Sequence, residues 1–333
     1  RPRKISMTAI KKSENLTLAL KHLEASRQGE WWPYLKGREP ALEPSIWCAI
    51  ACRQQPQLSE PFLAKLLELQ NPDGGWSSYQ GAGESDWTTG AACLCLRILG
   101  FNQDTNVSAA KINKSFHRAI EFLVDNRADY YRGLVKAVYL LWKGPQYRYA
   151  RGWPWTPHTF DWVEPTSYAL LSIRGTKFEK DQKIAAAVAD AESFLMDSYC
   201  YPGGWDYADR TPLSLKATEA QSGPHKPNPY PSNTALALLA LQGQAGSPVI
   251  KGGLNYLNTP APDKQSVLGA AWSALALHAF NQNIDNQIAT LKSFQQADGS
   301  FATELMSNAL ATIALSLTRD GNPLKAPLPY QES

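Results

Sequence analysis

Apolar residues return at intervals of three and four along most of this chain, which is the spacing that places one greasy stripe on a helix. Runs of this kind cover Leu16 to Ala25, Pro61 to Leu69, Phe116 to Val124, Lys183 to Met196, Val249 to Leu257 and Ile284 to Gln295. Interleaved with them are runs rich in alanine and leucine that open on small polar residues. These start at Glu43-Pro44-Ser45, Asp86-Trp87-Thr88-Thr89, Glu164-Pro165-Thr166, Pro231-Ser232-Asn233-Thr234, Ser266 and Glu304. Pro44 is expected at the first helical position. Period-two alternation is essentially absent, so the expected class is all-α.

The turns between the runs repeat. Gln70-Asn71-Pro72-Asp73-Gly74-Gly75-Trp76 has cousins in Tyr201-Pro202-Gly203-Gly204-Trp205, Gln296-Ala297-Asp298-Gly299-Ser300-Phe301, Arg151-Gly152-Trp153-Pro154-Trp155 and Arg27-Gln28-Gly29-Glu30-Trp31. Two of the spacings are long enough for two units. Degenerate turns are therefore expected in Asp125 to Arg132 and in Asn258 to Lys264. Gly133 to Lys143 reads as the helix in front of Trp153. The sum is about six helical hairpins, each of which must stack on its neighbours to bury its apolar face. Alanine every few residues in the second helices lets them approach closely, as the inner ring of a two-layered α/α toroid requires. Their N-termini would then share one opening. One toroid is expected over residues 15–320, with an arm at 1–14 and a tail at 321–333.

Composition narrows the partners. The chain has 333 residues and a net charge of +3, with no basic run beyond Arg1, Arg3 and Lys4, so nucleic acid is not expected. The longest nearly apolar stretch, Val267 to Phe280, is too short to cross a bilayer. Five cysteines, an odd number lying mostly in helical patterns, fit free thiols in a reducing, cytoplasmic setting. No glycine-rich phosphate loop or Asp-rich metal motif is present, and no cofactor or metal is expected. Cys48 and Cys52 share a helix face, but no histidine stands at ligand spacing.

Acidic residues precede several second helices: Glu43, Glu84, Asp86, Asp161, Glu164 and Glu304. A carboxylate at a helix N-terminus gains about 0.3–1 kcal/mol from the macrodipole, so capping explains any one of them. If six such ends surround a cavity, the same residues form its wall.

Helix, Gln-x-x-x-Gly-x-Trp turn, helix resembles the repeat of squalene-hopene cyclases and other class II terpenoid cyclases, and more loosely that of protein prenyltransferase β subunits. The likeness covers about residues 15–317 and is sharpest at 70–76 and 295–301. It implies cyclisation of a linear isoprenoid or prenylated substrate, initiated by protonation in a central aromatic-lined cavity. In that family an Asp-x-Asp-Asp motif before an inner helix supplies the proton, and no such motif occurs here. By position the nearest matches are Asp161-Trp162-Val163-Glu164 and Glu84-Ser85-Asp86. Asp161 and Glu164 are the leading acid candidates, with Asp86 in reserve and His158 as an orienting partner. Against this, Pro165 restricts Glu164 to an extended backbone. Trp87, Trp155, Trp162 and Tyr168 are the rings expected to face substrate and carbocation. Trp76 and Trp205 are expected to staple outer helices.

Other readings remain beside this one. A prenyltransferase-like enzyme would need zinc and a partner subunit, a carbohydrate-active toroid would use carboxylate pairs and tryptophan platforms, and a non-catalytic toroid would bind lipid or peptide. The chain is shorter than two-toroid cyclases, so the cavity would be completed by a partner, by the irregular 206–230 loop, or not at all. Contact with a membrane surface is a further expectation for a protein handling isoprenoids.

Overall fold

The computed structural model describes residues 7–101, 105–128, 138, 141, 152–157, 159–201, 203–207, 228–259 and 265–330. Among these are twelve main helices. Six are outer: α1 (Met7–Ala25), α3 (Pro56–Glu68), α5 (Ala109–Asp125), α7 (Gln182–Asp197), α9 (Pro248–Asn258) and α11 (Asp285–Phe294). Six are inner: α2 (Leu42–Ala51), α4 (Thr88–Cys95, continued as a π-turn to Gly100), α6 (Val163–Ile173), α8 (Pro231–Ala240), α10 (Val267–Ala279) and α12 (Leu305–Asp320). Each inner helix packs on the next, and α12 packs back on α2, so the six close into a ring inside a second layer of helices. This is an α/α toroid.

The outer helices α5 and α9 carry one apolar face, whereas nearly every residue of α2, α4, α8 and α10 is buried. An inner helix meets neighbours on both flanks and an outer helix behind, so it has no wet side to supply.

Five of the six hairpins are pinned by the aromatic of the turn. The indole N–H of Trp76 donates to the Leu66 carbonyl at the end of α3 (2.8 Å), while its backbone N–H donates to the Thr89 hydroxyl in α4 (2.9 Å). Trp153 repeats this with Leu123 and Thr166, and Trp205 with Leu195 and Thr234. At the sixth hairpin a phenylalanine has no indole donor, and the Phe301 N–H is received by Asn308 Oδ1 (2.6 Å). In the first hairpin the clasp is made by Trp32, to Leu23 and Ser45, rather than by Trp31. Trp31 instead packs edge-on against Phe62. Each tryptophan clasp satisfies an orphan carbonyl at an outer helix end and buries the ring that does so.

Two turns hold the outer layer together. Gln70 donates to the Gly74 and Ser115 carbonyls, and Gln295 to the Gly299 and Asn15 carbonyls, so each turn grips the next outer helix. Gly74 (φ +95°) and Gly299 (φ +88°) lie so near those helices that a Cβ would fall 2.4 Å from the Arg118 carbonyl oxygen and 2.2 Å from that of Leu18.

Several boundaries differ from the sequence reading. Helix α1 starts at Met7, so residues 7–14 extend it instead of forming an arm. Helix α2 starts at Leu42 and places Pro44 third, where no intrahelical N–H is yet required. Trp153 clasps α5 directly, so the spacing between Trp76 and Trp153 holds one unit with an insertion, not two. The helical reading of Gly133 to Lys143 lies outside the described residues apart from positions 138 and 141. So do Pro260 to Lys264 and most of the 206–230 loop. The spacing from Trp205 to Phe301 does hold two units, and the one built on α9 and α10 lacks the aromatic clasp. A two-residue antiparallel pair, Trp153–Pro154 with Asp161–Trp162, is the only named sheet among the described residues.

The opposite face of the ring is strapped by the C-terminal segment. Arg97, fully buried, donates to the carbonyls of Leu171 and Arg174 at the end of α6 and to those of Leu328 and Pro329. Asn322 reaches the Leu275 carbonyl of α10, and Gln242 ties Leu239 to Leu324. All five cysteines are buried free thiols. No described helix is long and apolar enough to cross a membrane.

Gly299→Ala should destabilise the fold by about 2 kcal/mol or more, since the strain of positive φ adds to a backbone collision. Gly81→Ala, at φ +83° with nothing near its Cβ, should cost only about 1 kcal/mol. Urea unfolding of the two variants against the parent protein measures the difference.

Candidate active site

Where the inner helices start, the ring gathers carboxylates over aromatic side chains. Trp47 from α2, Tyr168 from α6 and Trp272 from α10 meet inside the ring: Trp47 lies 5.0 Å from Trp272 and 6.0 Å from Tyr168, centroid to centroid. None is more than 1% exposed. They form a floor contributed by alternate members of the ring. Trp87 stacks on Tyr168 (6.1 Å) and tilts against Trp155 (4.4 Å), extending the aromatic surface towards α4.

One helical turn nearer the N-termini stand Glu43, four residues before Trp47, and Glu164, four residues before Tyr168. Residues four apart lie above one another on the same helix face. The Tyr34 hydroxyl donates to Glu43 Oε2 at 2.5 Å, and the Tyr168 hydroxyl reaches Glu164 Oε1 at a long 3.4 Å. Glu164 is helical in spite of Pro165, because the pair falls in the first turn of α6.

Burial pushes the Glu43 carboxyl up to about 7, with Glu304 and Asp86 adding to the rise and the Tyr34 hydrogen bond opposing it. Burial pushes Glu164 further, to about 8, and the charge of Glu43 adds to that. The helix dipole acts the other way but is worth less than the roughly 1.4 kcal/mol of a single pK unit, so desolvation and like charge prevail.

Asp161 and Asp86 are placed differently. Asp161 is buried in the β-pair and accepts the Gly152 N–H (3.2 Å), so this carboxylate ties the Trp153 turn. Asp86 accepts from the N–H and hydroxyl of both Ser78 and Thr88, at 2.5–2.9 Å, which commits both oxygens to the entry of α4. Thus Glu164 and Asp161, three positions apart along the chain, have separate partners, while the charge of Glu43, on another helix, bears on Glu164. Sequence reading named Glu43 only among residues at helix starts. A usable signal was the shared start, Leu42-Glu43-Pro44-Ser45 and Val163-Glu164-Pro165-Thr166. His158 lies outside the described residues. Trp162 is half-buried against Phe160 (4.7 Å) and Tyr207 (6.4 Å).

A small pocket of about 20 Å³ adjoins this region, lined by Asp86, Trp87, Phe122, Trp153 and Pro165 among others. A larger hollow of about 420 Å³, open to solvent, lies where the α9–α10 hairpin lacks its tryptophan, between Leu257, Gly269, Ala270, Ser273 and Gln287. Amides and hydroxyls line it, and no carboxylate does among the described residues. Among the described residues no group of three His, Cys, Asp or Glu side chains is placed to hold a metal ion.

In fold the chain is similar to a protein from Actinoplanes, at a TM-score of 0.57 and 16% identity, covering 91% of this chain and 98% of that one. It is also similar to the type II terpene cyclase MstE from Scytonema. One MstE variant, in complex with its product merosterolic acid A, gives a TM-score of 0.55 at 15% identity, over 92% of this chain and 96% of the other. Another, in complex with its substrate geranylgeranyl dihydroxybenzoate, gives 0.55 and 15% over 95% and 98%. No protein-family model and no curated protein matches the sequence. The fold is terpene cyclase-like, and the likeness spans these neighbours almost end to end rather than one half of a two-toroid enzyme.

The raised carboxyls give stability a defined pH dependence. A carboxyl whose folded pKa exceeds its unfolded value near 4.5 favours the folded state when protonated, and that advantage is lost as pH rises towards 7–8. The parent protein should therefore lose melting temperature from pH 5 to pH 9. Glu164→Gln should flatten this decline and melt a few degrees higher at pH 9, as scanning calorimetry would show.

Proposed function

We propose that this protein is a terpene cyclase-like enzyme that protonates the terminal double bond of a linear isoprenoid, or of a prenyl chain carried on an aromatic head group. The observation that carries this reading is Glu164: a carboxyl set over an aromatic floor in the first turn of an inner helix, with its pKa raised to about 8. An acid that protonates an alkene must still hold its proton at working pH, and burial beside a like charge is how a protein arranges that.

The balance is that of an isomerisation. The alkene π pair takes the Glu164 proton and forms a C–H bond, leaving a tertiary cation on carbon and a carboxylate on Glu164. Successive double bonds consume the cation as rings form, and a proton leaves the last cation, so substrate and product have one formula. Trp87, Trp155 and Tyr168 present π faces near the acid, each worth about 0.5–2 kcal/mol to a passing cation. Asp161 holds the turn that carries Trp153 and Trp155. The substrate class is supported by the fold likeness to MstE, whose bound molecules are a geranylgeranyl arene and its cyclised product.

Incubation with a panel of linear isoprenoids and prenylated hydroxybenzoates, read by mass spectrometry and NMR, should reveal a product of unchanged mass with fewer double bonds. Glu164→Gln should lower turnover at least about 100-fold. Asp161→Asn should act through stability, lowering the melting temperature more than turnover per folded molecule. Full turnover in Glu164→Gln would remove this residue as the acid.

A further inference from the structure

We propose that Glu43 and Glu164, from inner helices that are not neighbours in the ring, hold one proton between them above the aromatic floor, so that the acid is assembled across the opening. The inference rests on the reading of Glu164 as proton donor and adds the group that keeps it protonated. Glu43 is here a positioning residue, acting through Glu164.

Three observations carry it. First, Glu43 and Glu164 each stand one helical turn above Trp47 and Tyr168, whose rings meet 6.0 Å apart, so the carboxyls rise from touching supports. Second, the two helix starts are built alike, with the glutamate second in the helix and proline third, which projects both side chains from the same level of the ring. Third, the groups facing the pair are themselves anionic or phenolic. Glu304 stands at the start of α12, tied there by the Leu305 N–H donating to the Tyr34 carbonyl, and Asp86 lies at the start of α4. Tyr34 and Tyr168 each reach a glutamate, while Tyr79 interacts with Tyr34 and Tyr207 with Glu164.

A buried Glu43 and a half-buried Glu164 at such a site cannot both ionise at neutral pH without repulsion, so the second proton is retained. The short Tyr34 bond favours the charged form of Glu43 and thereby assigns the roles: Glu43 the anion, Glu164 the acid. An acid built this way needs no contiguous Asp-x-Asp-Asp motif.

Infrared titration of the protein with ¹³C-labelled glutamate follows the protonated carboxyl directly, without substrate. The expected result is two separated steps in the parent protein that belong to the pair. In Glu43→Gln the remaining step should move down by about half a pK unit or more, because the like charge is gone. Tyr34→Phe, which leaves both carboxyls in place, should move the lower step up and serves if Glu43→Gln folds poorly. An unmoved Glu164 step in Glu43→Gln, or an unmoved lower step in Tyr34→Phe, would overturn the proposal. Coupled titration without isoprenoid turnover would leave the pair standing and remove the reaction. Turnover that depends on Glu164 with uncoupled titrations would do the reverse.

Discussion

The fold depends on a clasp in which one aromatic residue satisfies two helices at once. An outer helix must end, and its last carbonyls need donors; an inner helix must begin, and the chain entering it must be fixed in direction. Trp32, Trp76, Trp153 and Trp205 meet both needs, the indole N–H on the outer helix and the backbone N–H on a Ser or Thr hydroxyl of the inner one. The clasp is nearly identical in the four hairpins that carry a tryptophan, and six hairpins close the ring. Everything at the opening inherits its position from this repetition, including the level at which Glu43 and Glu164 stand.

That dependence explains what could be read from sequence. The clasp is local, the indole reaching back about ten residues in three hairpins, so its glycines and aromatics show as a repeat. The toroid follows from the repeat together with the alanine-rich second helices. Where locality fails, so does the reading. Trp31 and Trp32 are adjacent, and only the packing decides which of them turns inward. The insertion between Leu123 and Trp153 breaks the spacing, and a second unit seemed to fit there, although α5 is joined to Trp153 by one hydrogen bond.

The candidate site was legible in part for the same reason. Glu164, Trp87, Trp155 and Tyr168 stand close to recognisable helix starts, and the folded chain puts the three rings in contact with Glu164 beside Tyr168. What the chain cannot show is which oxygens are already taken. Asp86 has two hydroxyls and two N–H groups upon it, and Asp161 serves the Gly152 turn, yet in sequence both look as suited to acid chemistry as Glu164. Nor can it show that the charge of Glu43 bears on Glu164, since their helices are brought together only in the folded ring, where Trp47 meets Tyr168. The caution drawn from Pro165 was sound for a loop and did not apply in a first helical turn.

Closing the ring has a consequence for how the chain comes into being. Helix α2 receives α12 on one flank, and Arg97 receives the carbonyls of Leu328 and Pro329, so groups made early wait for segments made more than two hundred positions later. During synthesis the nascent toroid is an open arc, with an apolar flank on α2 and a buried-type guanidinium still lacking its acceptors. Contacts of such long range are slow to form and expose greasy surface meanwhile. The last hairpin and the strap behind it thus act as a latch, and emergence of the strap from the ribosome is the moment at which the arc can become a sealed vessel.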